Sequence, residues 1–280
     1  MKKRPYVEYE PETEQRRYPS DVNDAEWELI APYLAQKDGP GRKRTVNIRE
    51  VANALFYLDH TGCQWRYLPK DFPAWEHIYY YFRCWTEDGT WETVNTLLRR
   101  KVRVHEQRDA EPSAAIIDSQ SVRTTEVGGE KGIDGAKLVK GRKRHFLVDT
   151  LGLLLIVLVS SAATSDSDGG YAIFDCIKGT FRRLKKVWAD QGYKRWLVDW
   201  VQTTCAFVLE IVEKPAHQRG FVPQPQRWKG ERSIAWFNRA RRLSKDYEQR
   251  TECSESMIYI SSIRFMLRRL TRKRKMQNNF

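Results

Sequence analysis

The chain has 280 residues, 41% of them hydrophobic and 30% charged, which excludes a disordered chain and leaves core enough for one large domain or two modest ones. The longest apolar run, residues 151–159, is about half of what a bilayer requires, and the charged start Met1-Lys2-Lys3-Arg4-Pro5 leads into no apolar stretch, so neither a membrane span nor a secretory signal is expected. Lys and Arg number 49 against 36 Asp and Glu, and residues 221–280 hold fifteen of the former against five of the latter, a +10 share of the +13 total.

A field of that sign recruits polyanions. A solvated helix face and a basic tail at residues 271–280 would account for part of it. The further clusters Arg42-Lys43-Arg44 and Arg142-Lys143-Arg144 favour nucleic acid.

Residues 1–20 are rich in Pro and Glu without period and read as a loose arm. Four helices are expected over residues 21–106. Asn23 with Glu26 forms a capping box ahead of Trp27, Ile30, Ala31 and Leu34 at helical spacing. Asp38-Gly39-Pro40-Gly41 breaks that helix, and Asn47 with Glu50 repeats the capping signature before Val51, Ala52, Leu55 and Phe56. A third helix should span residues 74–85 and a fourth should start at Thr90. Short helices with basic turns suit a helix-turn-helix-like DNA reader, and a helical oligomerisation module is the plainer alternative. The run Tyr79-Tyr80-Tyr81-Phe82-Arg83 fits core or DNA contact.

Residues 107–113 read as a linker, after which the pattern turns to strands. Strands are expected over 114–117, 144–150, 153–160, 187–189 and 207–212, with a hairpin at Leu151-Gly152. Helices are expected over 168–186, 195–204, 231–242 and 257–270. This order predicts a mixed sheet flanked by helices over residues 114–270, an α+β or α/β arrangement like that of ribonuclease H. No GxGxxG and no GxxxxGK[ST] is present, so no nucleotide cofactor is expected. The five cysteines (Cys63, Cys84, Cys176, Cys205, Cys253) contain no CxxC pair and the five histidines add no metal-binding spacing, which points to reduced thiols in a cytosolic protein.

Asp118 and Asp190 each end a predicted strand. If those strands are parallel neighbours, the carboxylates sit roughly 5 Å apart at the strand ends where open sheets build sites. Carboxylates that close repel, so they call for a cation or a shared proton. Magnesium suits them, and a pair of ions about 3.5–4 Å apart would serve an in-line displacement at phosphorus. Glu231, heading a basic helix with Arg239, Arg241, Arg242 and Lys245, is the candidate third carboxylate; a plain first-turn glutamate favoured by the helix dipole is the alternative. Asp166 and Asp168 read as helix caps, and Asp149 as a turn residue.

The blocks Thr61-Gly62-Cys63-Gln64-Trp65-Arg66, Leu68-Pro69-Lys70-Asp71-Phe72-Pro73, Tyr79-Tyr80-Tyr81-Phe82, Asp118-Ser119-Gln120-Ser121-Val122, Lys140-Gly141-Arg142-Lys143-Arg144-His145, Ala189-Asp190-Gln191-Gly192-Tyr193 and Arg241-Arg242-Leu243-Ser244-Lys245-Asp246-Tyr247-Glu248 follow one another in this order. Together they resemble bacterial insertion-sequence transposases of the insertion-sequence-five family, in the DDE superfamily. The resemblance implies a ribonuclease H-like catalytic domain and a metal-binding triad at Asp118, Asp190 and Glu231. It implies magnesium as two ions, with manganese as a substitute, and DNA as partner: the terminal inverted repeats and the target, bound by a homodimer in the bacterial cytoplasm at the nucleoid. Relatives carry a tyrosine, arginine, glutamate and lysine signature around the last acid. Here Arg227 and Glu231 keep their spacing, while Gln224 and Asn238 stand in the tyrosine and lysine places. Expected DNA contacts are Arg42, Lys43, Arg44, Arg83, Arg142, Lys143, Arg144, Arg227, Trp228, Arg239, Arg241, Arg242 and Lys245. Trp228 and Trp236 are candidates to stack on an unpaired base, with a core role as the alternative.

Overall fold

The computed structural model describes residues 16–34, 45–126, 128–212 and 228–272. Four helices lead: α1 (Asp24–Leu34), α2 (Ile48–Thr61), α3 (Trp75–Glu87) and α4 (Thr90–His105). The capping box of α1 closes in both directions, with the Asn23 N–H donating to Glu26 Oε2 at 2.9 Å and the Glu26 N–H donating to Asn23 Oδ1 at 2.7 Å. That of α2 closes only half. Asn47 Oδ1 accepts the Arg49 N–H at 2.9 Å, but Glu50 is drawn away by Arg17 and Asn53. Arg17 belongs to the stretch expected to be loose. Instead Tyr18 packs against Tyr57 and Phe72, and Arg264 donates to the Ser20 carbonyl at 3.0 Å, so residues 16–20 are docked onto the helices.

The sheet follows, with β1 (Ala114–Arg123), β2 (Gly132–Asp134), β3 (Val139–Asp149), β4 (Leu154–Ser161), β5 (Lys186–Ala189) and β6 (Val208–Ile211). The order is β2-β3-β1-β5-β6, with β4 also on β3. The β1–β3–β4 meander is antiparallel, whereas β1, β5 and β6 run parallel. This is the mixed ribonuclease H-like sheet that the element order predicts. Helices α5 (Asp166–Ile177) and α6 (Arg195–Thr204) cross between the parallel strands, and α7 (Trp228–Phe237) and α8 (Thr251–Thr271) close the chain.

Alternation along the strands sorts the core into two layers. Ala115, Ile117 and Leu147 face α5 and α6. Ile116, Phe146, Val148 and Val157 face the other way, into one apolar cluster shared by α1–α4, α7 and α8. No apolar seam therefore divides the leading helices from the sheet: buried Asn95 of α4 donates to the Leu154 carbonyl of β4 at 2.9 Å and accepts from Ser262 of α8 at 2.8 Å. Helix α8 also covers the outer edge of β4. The Val157 and Val159 N–H groups donate to Tyr259 Oη and Glu255 Oε1, which satisfies an edge that would otherwise template another strand.

Several boundaries depart from the sequence reading, among them α7, which ends at Phe237 rather than 242 and is followed by a separate 3-10 turn at Arg241–Ser244. β1 continues five residues past Asp118, β3 starts at Val139 rather than 144, and β2 was not foreseen. The polar residues along these strands are paired with acids of distant segments, so no apolar period marked them. Helix α5 stops at Ile177 instead of 186, ahead of Gly179 in a left-handed conformation (φ 78°). Helix α8 starts at Thr251, six residues before the expected 257.

Candidate active site

Strands β1 and β5 pair in parallel from Ala114↔Lys186 to Ile116↔Trp188, and the pairing ends there. Two residues further along, each chain carries an aspartate. Asp118 is still within β1, held on its other side by β3 opposite Phe146, so it does not end its strand as expected. Asp190 follows the last residue of β5. By alternation both belong to the face of Ile116 and Trp188. Backbone amides fix the carboxylates locally: Asp118 Oδ1 accepts the Ser119 N–H at 2.8 Å and Asp190 Oδ1 accepts the Gly192 N–H at 2.9 Å.

Helix α7 lies on that face. A Cβ on Gly230 would stand 3.1 Å from Ile116 Cγ2 and 3.4 Å from Asp118 Cβ, so the first turn of the helix rests on the aspartate's own strand position. Ser233 Oγ donates to the Gly152 carbonyl at 2.9 Å, Arg232 donates to the Leu151 carbonyl at 3.2 Å, and Phe237 stacks on Phe146 at 5.4 Å between centroids. Asn238, just past the helix, accepts from Gln120 at 3.0 Å. Glu231 is exposed in the first turn.

A further acid stands beside Asp190. Asp166 Oδ2 and Asp190 Oδ1 each lie 2.9 Å from where a Cβ on Gly192 would stand. Asp166 Oδ1 accepts from Ser119 Oγ at 2.7 Å and pairs with buried Lys143 at 3.2 Å. Lys143 also reaches Asp134 at 3.5 Å. Burial would raise the Asp134 carboxyl, but donation from Ser121 and the Lys137 and Ala136 amides, with the Lys143 charge, outweighs it and holds the group at about 2. The sequence reading took Asp166 and Asp168 together as caps. The true cap is Ser165, whose Oγ accepts the Asp168 N–H at 3.1 Å and donates back to Asp168 at 2.6 Å. That Ser-x-x-Asp signature, read first, frees Asp166 to act elsewhere. The donors gathered at this sheet edge are hard carboxylate oxygens, the chemistry that suits magnesium or manganese. Among the described residues, no three acidic, His or Cys side chains are already drawn together tightly enough to hold an ion.

The basic candidates divide. Arg142 and Arg144 are each 1% exposed, which overturns their reading as phosphate contacts. Arg142 spends its donors on Asp246 and on the Glu130, Glu248 and Gln249 carbonyls, and Arg144 on the Leu243 and Lys245 carbonyls. Arg242 is likewise inside, forked onto Glu248 at 2.8 and 2.6 Å. Lys143 is buried between its two aspartates. The reason is positional: a basic triplet on a central strand has no solvent face, and it alternates between two covered ones. Arg83 is paired with Glu87 on α3. Arg239, Arg241 and Lys245 are exposed beside α7. Trp228 is 39% exposed and, with Trp236, sandwiches Arg232 at 4.5 and 4.6 Å, while Trp236 also stacks on Phe265. In the aromatic run of α3, Phe82 is core and Tyr80 is exposed. Arg42, Lys43, Arg44, Arg227 and Gln224 lie outside the described residues. The five cysteines are free, and no described helix is long and apolar enough to cross a membrane.

Comparison with known proteins agrees with this architecture. Residues 22–95 match the family described as transposases of the IS4/5 family, and residues 109–261, more than half of the chain, match the family described as "Transposase DDE domain". The chain is 31% identical over 122 residues to the insertion element IS402 uncharacterized 16.2 kDa protein of Burkholderia cepacia, an alignment covering 40% of this chain and 78% of that protein. With parallel strands bearing Asp118 and Asp190, a helix seated on the first of them and a family match spanning the whole sheet, this chain belongs to the DDE transposases of insertion sequences.

Proposed function

We propose that Asp118, Asp190 and Glu231 form the metal-binding triad of this transposase, cutting the ends of its element and joining the freed 3′-hydroxyl to target DNA. The observation that carries it is the contact of Gly230 with Asp118, which ties the first turn of α7 to the edge where Asp190 emerges. Helical geometry supports the rest. Ser233 faces the Gly152 carbonyl, and Glu231, two residues earlier and so about 200° away round the axis, belongs to the flank turned from that carbonyl. Asn238, on the same row of the helix, rests on Gln120.

The triad would hold one or two divalent cations, which supply charge neutralisation at phosphorus and an acidified attacking water. The protein's own share is positional. The β1–β3 pairing and the Ser119 amide fix Asp118, the Gly192 amide fixes Asp190, and Lys143 with Ser119 fixes Asp166 behind them. Arg239, Arg241 and Lys245 would hold backbone phosphates without reading sequence. The helices within residues 21–106 would read the terminal repeats, on a homodimer that brings two ends together.

The test is cleavage of labelled element-end DNA with magnesium or manganese by wild type and by Asp118→Asn, Asp190→Asn and Glu231→Gln. Each variant should bind DNA as wild type does and lose cleavage. Wild-type turnover by any one of them removes that residue from the triad. Recovery of cut but never joined products would reduce the protein to a nuclease.

A further inference from the structure

β1 outruns the catalytic edge, and the β2–β3 hairpin outruns β1. Its end, residues 133–140, presents two large apolar side chains to solvent: Leu138 is 81% exposed and Ile133, in β2, 59%. Leu138 also holds a left-handed backbone (φ 52°), a conformation that is strained for a leucine and that glycine or asparagine usually fills. The tip is nevertheless well anchored. Asp134, buried beneath it, accepts the Ala136 and Lys137 N–H groups at 3.0 and 3.1 Å, accepts from Ser121 Oγ at 2.5 Å and pairs with Lys143. Its charge is thereby used inside the fold. What the tip shows to solvent is cationic and apolar: Lys137 and Lys140 are exposed beside Leu138 and Ile133.

Register places this tip relative to the catalytic edge. Ile133 pairs with Lys140, and Phe146, six residues along β3 from Lys140, pairs with Asp118. By alternation Ile133 and Lys140 lie on the Asp118 face, about 20 Å from it along the strand. That is the span of about six base pairs of duplex. A second copy of the chain is a poor occupant, because two apolar side chains fall far below the roughly 800 Å² per partner of a stable interface.

We propose that this hairpin is a DNA-contacting tip: Ile133 and Leu138 wedge into a groove of the duplex that leads to the triad, and Lys137 and Lys140 grip the phosphates on either side. Apolar wedges flanked by cations are how proteins hold a duplex bent. The inference rests on the DNA-cutting reading above for the placement of the duplex, though not for the contact itself.

The experiment uses the full chain and a random-sequence 40-base-pair duplex labelled for anisotropy at both ends. It compares wild type with Ile133→Ser/Leu138→Ser and with Lys137→Ala/Lys140→Ala, all exposed positions at which the fold should persist by circular dichroism. The serine pair should weaken binding by more than roughly threefold with an unchanged salt slope, and the alanine pair should lower the slope of log K against log salt by about 1.8. Serine-pair binding within roughly threefold of wild type overturns the proposal. So does a serine pair that turns a dimer into a monomer by light scattering while binding DNA unchanged, since the tip would then serve a second copy. If wild type fails to cut but the hairpin variants lose binding, only the catalytic reading falls; if wild type cuts and the variants bind equally, only this inference falls.

Discussion

Asp166 and Asp190 meet over Gly192: an oxygen of each carboxylate lies 2.9 Å from the point that a Cβ on that glycine would occupy. The glycine is required there by space rather than by backbone angle. Gly192→Ala should therefore push the two acids apart without unfolding the protein. Metal-dependent cleavage is expected to fall by about tenfold or more, in keeping with the sensitivity of catalysis to a misplacement of roughly 1 Å, with a melting temperature close to wild type. Parallel cleavage rates and thermal melts check it; a fully active alanine variant would show that the acids tolerate separation.

Gly230 offers a second separation of activity from stability. Alanine there meets Ile116 and Asp118 at 3.1–3.5 Å, tight contacts that small shifts can absorb, and it favours the helix by about 0.5–1 kcal/mol. Gly230→Ala should be near neutral in stability and impaired in cleavage. Gly230→Leu should lift α7 off β1 and abolish cleavage, while DNA binding through the exposed arginines persists. Equal activity of wild type and both variants would mean that the seat of α7 does not matter to the chemistry.

The interior arginines predict the opposite pattern. Arg142→Ala leaves Asp246 buried without its cation and three carbonyls without their donor, a loss on the order of 3–5 kcal/mol. Lys245→Ala, on the surface, should stay within about 0.5 kcal/mol in denaturant melts and lower the salt slope of DNA binding by about 0.9. A stable Arg142→Ala protein with weakened DNA binding would restore Arg142 as a phosphate contact.

Glu255 supplies a pH prediction. Burial pushes its carboxyl up to about 7, against the lowering from the Val159 amide that donates to it. A raised folded value contributes stability that is fully present below the unfolded value, near 4.5, and is lost as pH rises through 7. Glu255→Gln keeps an acceptor for Val159 and carries no charge. It should be more stable than wild type at pH 8 by on the order of 2 kcal/mol, with the difference shrinking below pH 5. Chemical denaturation at both pH values measures this, and a pH-independent difference would refute it.

What the sequence determined alone was local or repetitive. The Asn23–Glu26 box, the helical periods of α2 and α4, and the Leu151-Gly152 turn are written in neighbouring residues, because capping and periodicity act over a few positions. The family blocks around Asp118 and Asp190 were equally legible. Tertiary structure alone decided which charges face water. Arg142 and Arg239 look alike in sequence, yet one is enclosed by Asp246 and the 248–249 carbonyls and the other is exposed, and burial is set by what a strand has on each side. It also decided that Asp166 stands beside Asp190, that Gly230 seats α7 on Asp118, and that a leucine is held out at the tip of an unforeseen hairpin. Each of these depends on segments distant in sequence meeting in space, and no local pattern encodes such a meeting.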